Sequence, residues 1–235
     1  MLESKKRVRT RTIRGEGAVI QLIIHDVEAI VRRGHMYNAE IIEIAALRAV
    51  PDEDGKWKDA GHFHAYVRPQ DVTSIPVVTT RFTGITEADM AGAKRFPEVL
   101  QSFLEWIGED EYYLCSWSLS DRDYFIADCR RHGLSLDWIR NYNDIQKWFG
   151  RKLHLSQRSS LQNALELLQL APEGQAHNAL ADTVNTFRVF NAIYNHDDPV
   201  FRLEQNDCSG RLKTEVVYEE EFRNNPFTKL QGLFE

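Results

Sequence analysis

Two apolar runs near the start of the chain constrain its fold most. Residues 18–27 are apolar and rich in β-branched side chains, and residues 40–50 form a second run rich in isoleucine and alanine. Such runs are typical of central strands covered on both faces. A turn signal at residues 51–55 then leads into residues 61–67, where polar and apolar residues alternate imperfectly. This order predicts a hairpin followed by a half-exposed third strand.

Helical periodicity follows these strands. Residues 96–107 repeat apolar side chains at helical spacing, and residues 112–117 form a short apolar strand. Further helices are predicted at residues 121–132, 159–170 and 178–194. A meander of strands that passes into alternating helices and strands indicates an α/β fold, with a mixed sheet and helices on its faces.

The length of the chain predicts one domain with two extensions. The 235 residues, of which 43% are hydrophobic, suffice for one sizeable core. We place a basic arm at residues 1–17, the domain at 18–197 and an acidic extension at 198–235. The arm suits either a solvated leader or contact with phosphates. The extension, with its acidic run and its phenylalanines, could bind a protein partner.

Composition excludes several classes of protein. No apolar run approaches the roughly 18 residues that a membrane span needs, so no membrane partner is expected. The three cysteines, Cys115, Cys129 and Cys208, show no spacing typical of a disulfide framework or a thiolate metal site. We therefore expect reduced thiols and a cytoplasmic protein. The net charge of −6 gives no global attraction for a polyanion.

Three acidic residues stand at the ends of predicted strands. Asp26 and Glu28 are two apart, so alternation puts both carboxylates on one face of the sheet, although a solvated strand edge has the same pattern. Asp121 follows the strand at residues 112–117, where an open α/β sheet usually builds its site. Asp121 also suits a helix N-cap, and Asp123 competes with it for any role.

A histidine precedes an aspartate by five positions at the start of the last predicted helix. Five residues of a regular helix rotate by about 140°, so two mid-helix side chains at this spacing would diverge. His177 and Asp182 converge only if His177 lies in the lead-in after Gly174 and Asp182 lies inside the helix. An exposed loop histidine is the alternative.

Taken together, these residues resemble the motifs of the DEDDh 3′→5′ exonucleases, the superfamily of polymerase proofreading subunits, RNase T and oligoribonuclease. The likeness spans residues 18–194. Residues 26–28 match its first motif, Asp121 its second, and His177 with Asp182 its third. Two further stretches, Glu40-Ile41-Ile42-Glu43-Ile44-Ala45-Ala46-Leu47 and Thr83-Gly84-Ile85-Thr86, look like its second strand and a later loop.

One stretch points to a branch of that superfamily. The run Ser116-Trp117-Ser118-Leu119-Ser120-Asp121-Arg122 is similar to the Ser-Trp-Gly-x-x-Asp-Arg of the Eri and KapD-like branch, which favours Asp121 over Asp123. Ile30 replaces the usual threonine, and Ser118 the usual glycine. Neither departure removes a carboxylate, so they bear on substrate fit.

The resemblance implies an RNase H-like fold with a mixed five-stranded sheet and helices on both faces, and it implies catalysis with two divalent cations, Mg²⁺ or Mn²⁺. Asp26 would bridge the ions, Glu28 and Asp182 would bind one, Asp121 would bind the second, and His177 would be the general base. The residues expected to contact the terminal nucleotide are Ala29, Ile30, Thr83, Gly84, Ile85, Trp117 and His177.

The expected substrate is the 3′ end of single-stranded nucleic acid, RNA favoured over DNA, and the products are nucleoside 5′-monophosphates. Two alternatives stay open. One is a DNA repair or proofreading exonuclease, and the other is a non-catalytic nucleic-acid-binding or protein-interaction module on the same fold.

Overall fold

The computed structural model describes residues 20–30, 39–70 and 75–208. Their centre is one six-stranded sheet of order β4-β3-β2-β1-β5-β6. The strands are β1 (Gln21–Ile30), β2 (Glu40–Pro51), β3 (Trp57–Arg68), β4 (Lys94–Arg95), β5 (Tyr112–Ser116) and β6 (Tyr142–Asp144). The helices are α1 (Val77–Thr83), α2 (Phe96–Ile107), α3 (Ser120–Arg131), α4 (Ile145–Lys152), α5 (Leu161–Leu167) and α6 (Ala179–Ile193).

The sheet is mixed, as the order of the sequence patterns predicts. Strands β1, β2 and β3 form an antiparallel meander, whereas β5 pairs with β1, and β6 with β5, in parallel. The α/β class is confirmed, but the sheet has six strands and not five. The difference lies in very short strands: β4 has two residues and pairs with the end of β3. A strand of that length is too short to show a periodic pattern.

Side-chain alternation along β1 divides the core between the two faces of the sheet. Ile23 and Val27 belong to one apolar cluster, with Phe103 of α2 and Phe125 of α3. Leu22 and Ile24 belong to another, together with side chains of α4, α5 and α6. Helices therefore cover both faces, as predicted.

Two helices were not predicted by periodicity. Helix α1 has seven residues and no capping side chain, and it follows Pro76 directly. Helix α4 has eight residues and begins at Asp144, whose side chain accepts a hydrogen bond from the backbone N–H of Lys147. Both are only about two turns long.

Residues 198–208 pack against the domain. Phe201, in a short 3₁₀ helix at Pro199–Phe201, is buried among the side chains of α4 and α6. The side-chain amide of Asn206 accepts from the backbone N–H of Tyr142 and donates to the backbone carbonyl of Tyr142. Asn206 thus occupies the outer edge of β6. The basic arm, and the extension beyond residue 208, lie outside the described residues.

In the parts of the chain that the structure describes, no helix has both the length and the apolar character that a bilayer crossing requires. The three cysteines are buried, and none of them forms a disulfide.

One buried carboxylate fixes helix α3 against strand β2. The Oδ2 atom of Asp128 accepts a hydrogen bond from the backbone N–H of Ile41 at 2.7 Å, and its Oδ1 atom pairs with Arg131. Arg131 also donates to the carbonyl of Ala39. Asp128 is only 2% exposed, so water cannot replace its hydrogen-bond partners if these contacts break.

We expect Asp128→Ala to lower the free energy of unfolding by about 1–3 kcal/mol, because it leaves the N–H of Ile41 buried without its acceptor. Urea unfolding followed by circular dichroism measures this change. Glu105→Ala, on the exposed face of α2, is the control and should change stability by no more than about 0.5 kcal/mol. Equal effects of the two variants would contradict the prediction.

Candidate active site

The candidate site lies where strand β1 continues beyond its parallel neighbour. The pairing of β1 with β5 ends at Ile24 and Cys115, whereas β1 stays paired with β2 as far as Ile30. Among the described residues, no strand therefore lies on the β5 side of β1 beyond Ile24. Asp121, in the first turn of α3, takes that place, since its Oδ1 atom accepts from the backbone N–H of Val27 at 3.3 Å.

Asp26 and Glu28 lie on this part of β1, which pairs with β2. They lie inside β1 and not at its end, because the strand continues to Ile30. Alternation puts them on the same face as Ile24, which is the face that α6 covers. Helix α6 packs closely there, and the hydroxyl of Thr183 donates to the carbonyl of Ala45, the residue paired with Asp26.

The lead-in to α6 brings His177 back over its first turn. Helix α6 begins at Ala179, so His177 precedes it and Asp182 lies in its first turn, which is the arrangement that the five-residue spacing requires. The backbone N–H of His177 donates to Oδ2 of Asp182 at 2.9 Å. His177 has a φ of 62°, in the left-handed region that residues other than glycine rarely adopt.

Gly174 allows this lead-in to pass close to α6. Its φ is 71°, and a Cβ atom at this position would lie 2.7 Å from Cβ of Ala181. No other residue fits there without moving the loop that carries His177.

Three of the predicted residues converge directly. Glu28, His177 and Asp182 each offer a ligand atom, and these atoms lie within 4.8 Å of one another. The ring of Phe82, in α1, lies against the ring of His177, with 4.4 Å between the centroids. No pattern in the sequence points to Phe82, since a single aromatic residue in a short helix carries no signal of its own.

Burial and repulsion by neighbouring carboxyls raise the pKa values of Asp26, Glu28, Asp121 and Asp182. Burial is the largest cause for each. The pKa of Glu28 rises to about 9, with Asp182 its strongest charged neighbour. The pKa of Asp121 rises to about 7 although the N–H of Val27 lowers it, and that of Asp182 rises to about 6 although the N–H of His177 lowers it. The pKa of Asp26 rises well above its ordinary value, with Asp121 and Glu28 adding to the effect of burial.

These carboxyls have the chemistry of a site for hard cations. Burial and like charge make four negative charges unfavourable together unless cations neutralise them. The ligand atoms that the four acids offer are all oxygen atoms, which suit Mg²⁺ and Mn²⁺ better than softer metals. The residues present therefore fit the divalent cations that the resemblance implies.

His177 differs from the acids in its response to burial. Burial lowers the pKa of its imidazole below 6.5. The ring is thus neutral near pH 7, when one of its nitrogen atoms has a free lone pair and can accept a proton.

The predicted nucleotide contacts are placed unevenly. Gly84 is exposed, and Ala29 and His177 are half-buried. Ile30 is 1% exposed and packs with Ile42, Ile75, Ile85 and Met90. The hydroxyl of Thr83 bonds within α1, and the indole N–H of Trp117 donates to the carbonyl of Ser159. Contact of these buried residues with a nucleotide stays a prediction.

Asp121 and Asp123 take different directions. Asp121 is 6% exposed and interacts with β1, whereas the carboxylate of Asp123 pairs with the neighbouring Arg122 at 2.8 Å. A fifth carboxyl, Glu43, adds to the repulsion at Asp26, Glu28 and Asp182. It was noted in the sequence only as part of a strand pattern.

The raised pKa values predict that the metal-free protein becomes less stable as the pH rises. The carboxyls of Glu28, Asp121 and Asp182 hold protons in the folded chain at pH values where the unfolded chain has lost them. Their contribution to stability is therefore present at low pH and is lost between about pH 4 and pH 9. In EDTA, the melting temperature should fall from pH 6 to pH 9, and Mn²⁺ should oppose that fall.

The pKa of Asp26 is raised in the same way, so Asp26→Asn removes one of the repelling carboxyls and should flatten the pH dependence of the melting temperature. At pH 8 in EDTA it should melt about 2–4 °C higher for each kcal/mol of repulsion removed. Asp123→Asn, whose parent side chain pairs with Arg122, is the control and should keep the native slope. A melting temperature of the native protein that rises from pH 6 to pH 9 in EDTA would contradict the prediction.

Comparisons with known proteins identify the family of this chain. The family model described as Exonuclease, of the RNase T type, matches residues 23–190. The 3′-5′ exoribonuclease 1 of Mus musculus is 27% identical over 167 residues, which cover 66% of this chain and 45% of that protein. The 3′-5′ exoribonuclease 1 of Rattus norvegicus is 29% identical over 166 residues, which cover 66% and 44%. The chain thus aligns with less than half the length of these relatives.

Solved structures agree with the sequence comparisons. The nuclease domain of 3′hExo, a DEDDh family member bound to rAMP, superposes with a TM-score of 0.62 at 25% identity, covering 73% of this chain and 90% of that one. Cell-death related nuclease 4 superposes with a TM-score of 0.63 at 20% identity, covering 73% and 62%, which is a likeness of fold. The match of the family model over residues 23–190, most of the described domain, makes this chain a member of the RNase T exonuclease family, within the DEDDh 3′→5′ exonuclease superfamily.

Proposed function

We propose that this chain is a metal-dependent 3′→5′ exonuclease that removes nucleoside 5′-monophosphates from single-stranded nucleic acid, and that it prefers RNA. The observation that carries the proposal is the convergence of acids from β1, α3 and α6 beside a histidine that is neutral at pH 7. Glu28, His177 and Asp182 present ligand atoms within 4.8 Å of one another, and Asp121 hydrogen-bonds to the same strand.

The acids are proposed to hold two divalent cations, Mg²⁺ or Mn²⁺. Asp26 would bridge them, Glu28 and Asp182 would bind one, and Asp121 would bind the other. When bound, the cations neutralise the carboxylates and polarise the phosphate group that is cleaved. Asp123 is left out of this set because its carboxylate pairs with Arg122.

His177 is proposed as the general base. Its imidazole, kept neutral by burial, would take a proton from the attacking water, for which a carboxylate of ordinary pKa is poorly suited. Two contacts fix its position: the backbone N–H of His177 donates to Asp182, and the ring of Phe82 lies against the imidazole.

The substrate assignment rests on the site and on the relatives. We propose that Ala29, Ile30, Thr83, Gly84, Ile85 and Trp117 form the pocket for the terminal nucleotide, with His177 at its edge. Only RNA offers a 2′-hydroxyl to such a pocket. Two relatives are named exoribonucleases, and the 3′hExo domain was solved with rAMP, which supports RNA.

Partners and compartment complete the proposal. The partner is a nucleic-acid 3′ end. A protein partner of the C-terminal extension stays a prediction on residues that lie mostly outside the described ones. Buried cysteines that form no disulfide are compatible with a reducing compartment, and we propose the cytoplasm.

The proposal is tested with 5′-labelled RNA and DNA oligonucleotides of the same sequence, incubated with Mn²⁺, Mg²⁺ or EDTA. We expect a ladder that shortens from the 3′ end, faster on RNA, and no cleavage in EDTA. Asp26→Asn and Asp182→Asn should abolish it, since each weakens the cation site, whereas Asp123→Asn should retain it. Faster cleavage of DNA would refute the RNA preference. Native turnover by Asp26→Asn or by Asp182→Asn would refute the proposed site.

A separate variant tests the general base. His177→Ala should lower the rate about 10²–10⁴-fold, the usual cost of losing a positioned proton acceptor, while the dissociation constants for Mn²⁺ and RNA change little. The native rate should rise with pH below neutrality as the imidazole loses its proton, and the variant should lack this limb. Loss of Mn²⁺ binding in the variant, or an unchanged pH profile at near-native turnover, would exclude His177 as the base.

A further inference from the structure

A buried glutamate in strand β2 contacts the start of helix α6. Glu43 is 0% exposed and lies opposite Glu28 in the antiparallel pair of β1 and β2. Its Oε2 atom accepts from the backbone N–H of Ala179 at 3.2 Å, and its Oε1 atom accepts from the side-chain amide of Asn178 at 3.4 Å. Both donors belong to the N-terminus of α6.

These contacts amount to a helix cap supplied by the sheet. The first N–H groups of a helix have no partner within the helix, and a negative charge near them is favourable. Asn178 caps α6 locally, since its side-chain oxygen accepts from the N–H of Ala181. Glu43 satisfies the N–H of Ala179 from another element, so it fixes where the helix begins relative to the strands.

The outer end of this contact is a histidine of β3. The Nε2 atom of His64 lies 2.7 Å from Oε1 of Glu43, and the side chain of His64 is 34% exposed. The imidazole therefore holds the carboxylate from the solvent side, and the start of α6 holds it from the other side. A carboxylate bonded on both sides is confined to one orientation, which suits a group that defines a position.

The start of α6 also carries two of the proposed active-site groups. His177 precedes Asn178 directly, and Asp182 lies in the first turn of the helix and accepts from the N–H of His177. The carboxylates of Asp26, Glu28 and Asp182 repel one another, which would drive α6 away from β1. Glu43 resists that displacement through hydrogen bonds to Ala179 and Asn178, even though its own charge adds to the repulsion.

We infer that Glu43 is a positioning residue for the exonuclease site, which it serves by holding the N-terminus of α6, and with it Asp182 and His177, at a fixed distance from the carboxylates of β1. This inference rests on the proposed function. Glu43 is not proposed to contact the substrate or the attacking water. Its effect should appear in turnover and in cation affinity, and not in affinity for the oligonucleotide.

The chain offers a matched control on the same strand. Glu40 is also buried, at 4% exposure, and its Oε2 atom accepts from the backbone N–H of Gln70, outside α6. Loss of either carboxylate removes a buried hydrogen bond, so both changes should lower stability. Only the change at Glu43 should alter the geometry of Asp182 and His177.

The experiment compares Glu43→Leu, Glu43→Gln, His64→Ala and Glu40→Leu with the native chain. Each protein is assayed well below its melting temperature. The kcat and KM are measured on a 5′-labelled RNA oligonucleotide, and the affinity for Mn²⁺ is measured by electron paramagnetic resonance of the free ion. Glutamine has nearly the shape of glutamate. Its oxygen can accept from Ala179 while its amide donates to His64 in the tautomer with an unprotonated Nε2.

We expect Glu43→Leu to lower kcat or the affinity for Mn²⁺ about 10–100-fold, the usual cost of losing an outer partner of a metal site, with KM nearly unchanged. Glu43→Gln should restore most of this loss. His64→Ala should show a smaller loss of the same kind, and it serves as the test if Glu43→Leu does not fold. Glu40→Leu should lower the melting temperature without changing kcat or Mn²⁺ affinity.

The remaining outcomes overturn the inference in separate ways. Native kcat and Mn²⁺ affinity in folded Glu43→Leu, or in His64→Ala where the former does not fold, would leave Glu43 with a structural role alone. Equal losses in the leucine and glutamine variants would mean that charge, and not position, matters. Equal losses in Glu40→Leu would reduce the effect to general destabilisation. A native chain that fails to cleave RNA or DNA would instead refute the proposed function.

Discussion

Repulsion among buried carboxyls is the constraint on which the rest of this structure depends. Asp26, Glu28, Asp121 and Asp182 come from three different elements, and the pKa values of Asp26, Glu28 and Asp121 are each raised by at least one of the others. Without cations, nothing in their own chemistry draws them together. The scaffold must therefore hold the three elements in place by contacts outside the cluster, and those contacts account for several polar groups that a purely apolar core would not need.

Each element has its own attachment. Strand β1 is held by its neighbours in the sheet. Helix α3 is held at one end by the bond from Val27 to Asp121, and further along by the bond from Ile41 to Asp128. Helix α6 is held by Thr183 against Ala45 and by Glu43 at its first residue. Buried polar groups that are satisfied in this way specify one arrangement of the elements, which apolar packing alone does not.

The sequence predicts the long elements well because their signals are local. The periodic pattern at residues 96–107 coincides with α2, and the pattern at 178–194 differs from α6 by one residue at each end. Strands β4 and β6 have only two and three residues, so pairing with neighbours defines them and no pattern in the sequence can. Helices α1 and α4 are little longer, and short helices depend on tertiary contacts for stability.

The same distinction holds within the site. The motif spacing gave the five candidate residues, because a carboxylate or an imidazole is visible in the sequence wherever it lies. The role of Glu43 was not visible, since its partners Ala179 and Asn178 are far along the chain and a glutamate in a strand is usually exposed. The burial of Ile30 was missed for a similar reason, because its neighbours Ile75 and Ile85 come from a distant segment.

The unusual backbone at His177 shows how stability and chemistry are balanced at this site. A φ of 62° is unfavourable for a histidine, and the adjoining loop tolerates only glycine at position 174. A relaxed loop would be more stable, but it would give up the bond from the N–H of His177 to Asp182 and the contact of the imidazole with Phe82. The strained backbone, the repelling carboxylate of Asp182 and the helix cap supplied by Glu43 thus all act on residues 174–182. Such a concentration is expected where a protein has kept a reactive geometry in place of a more stable one. The stability that this region forgoes must come from the apolar clusters on the two faces of the sheet, where Phe103, Phe125 and Phe190 are fully buried.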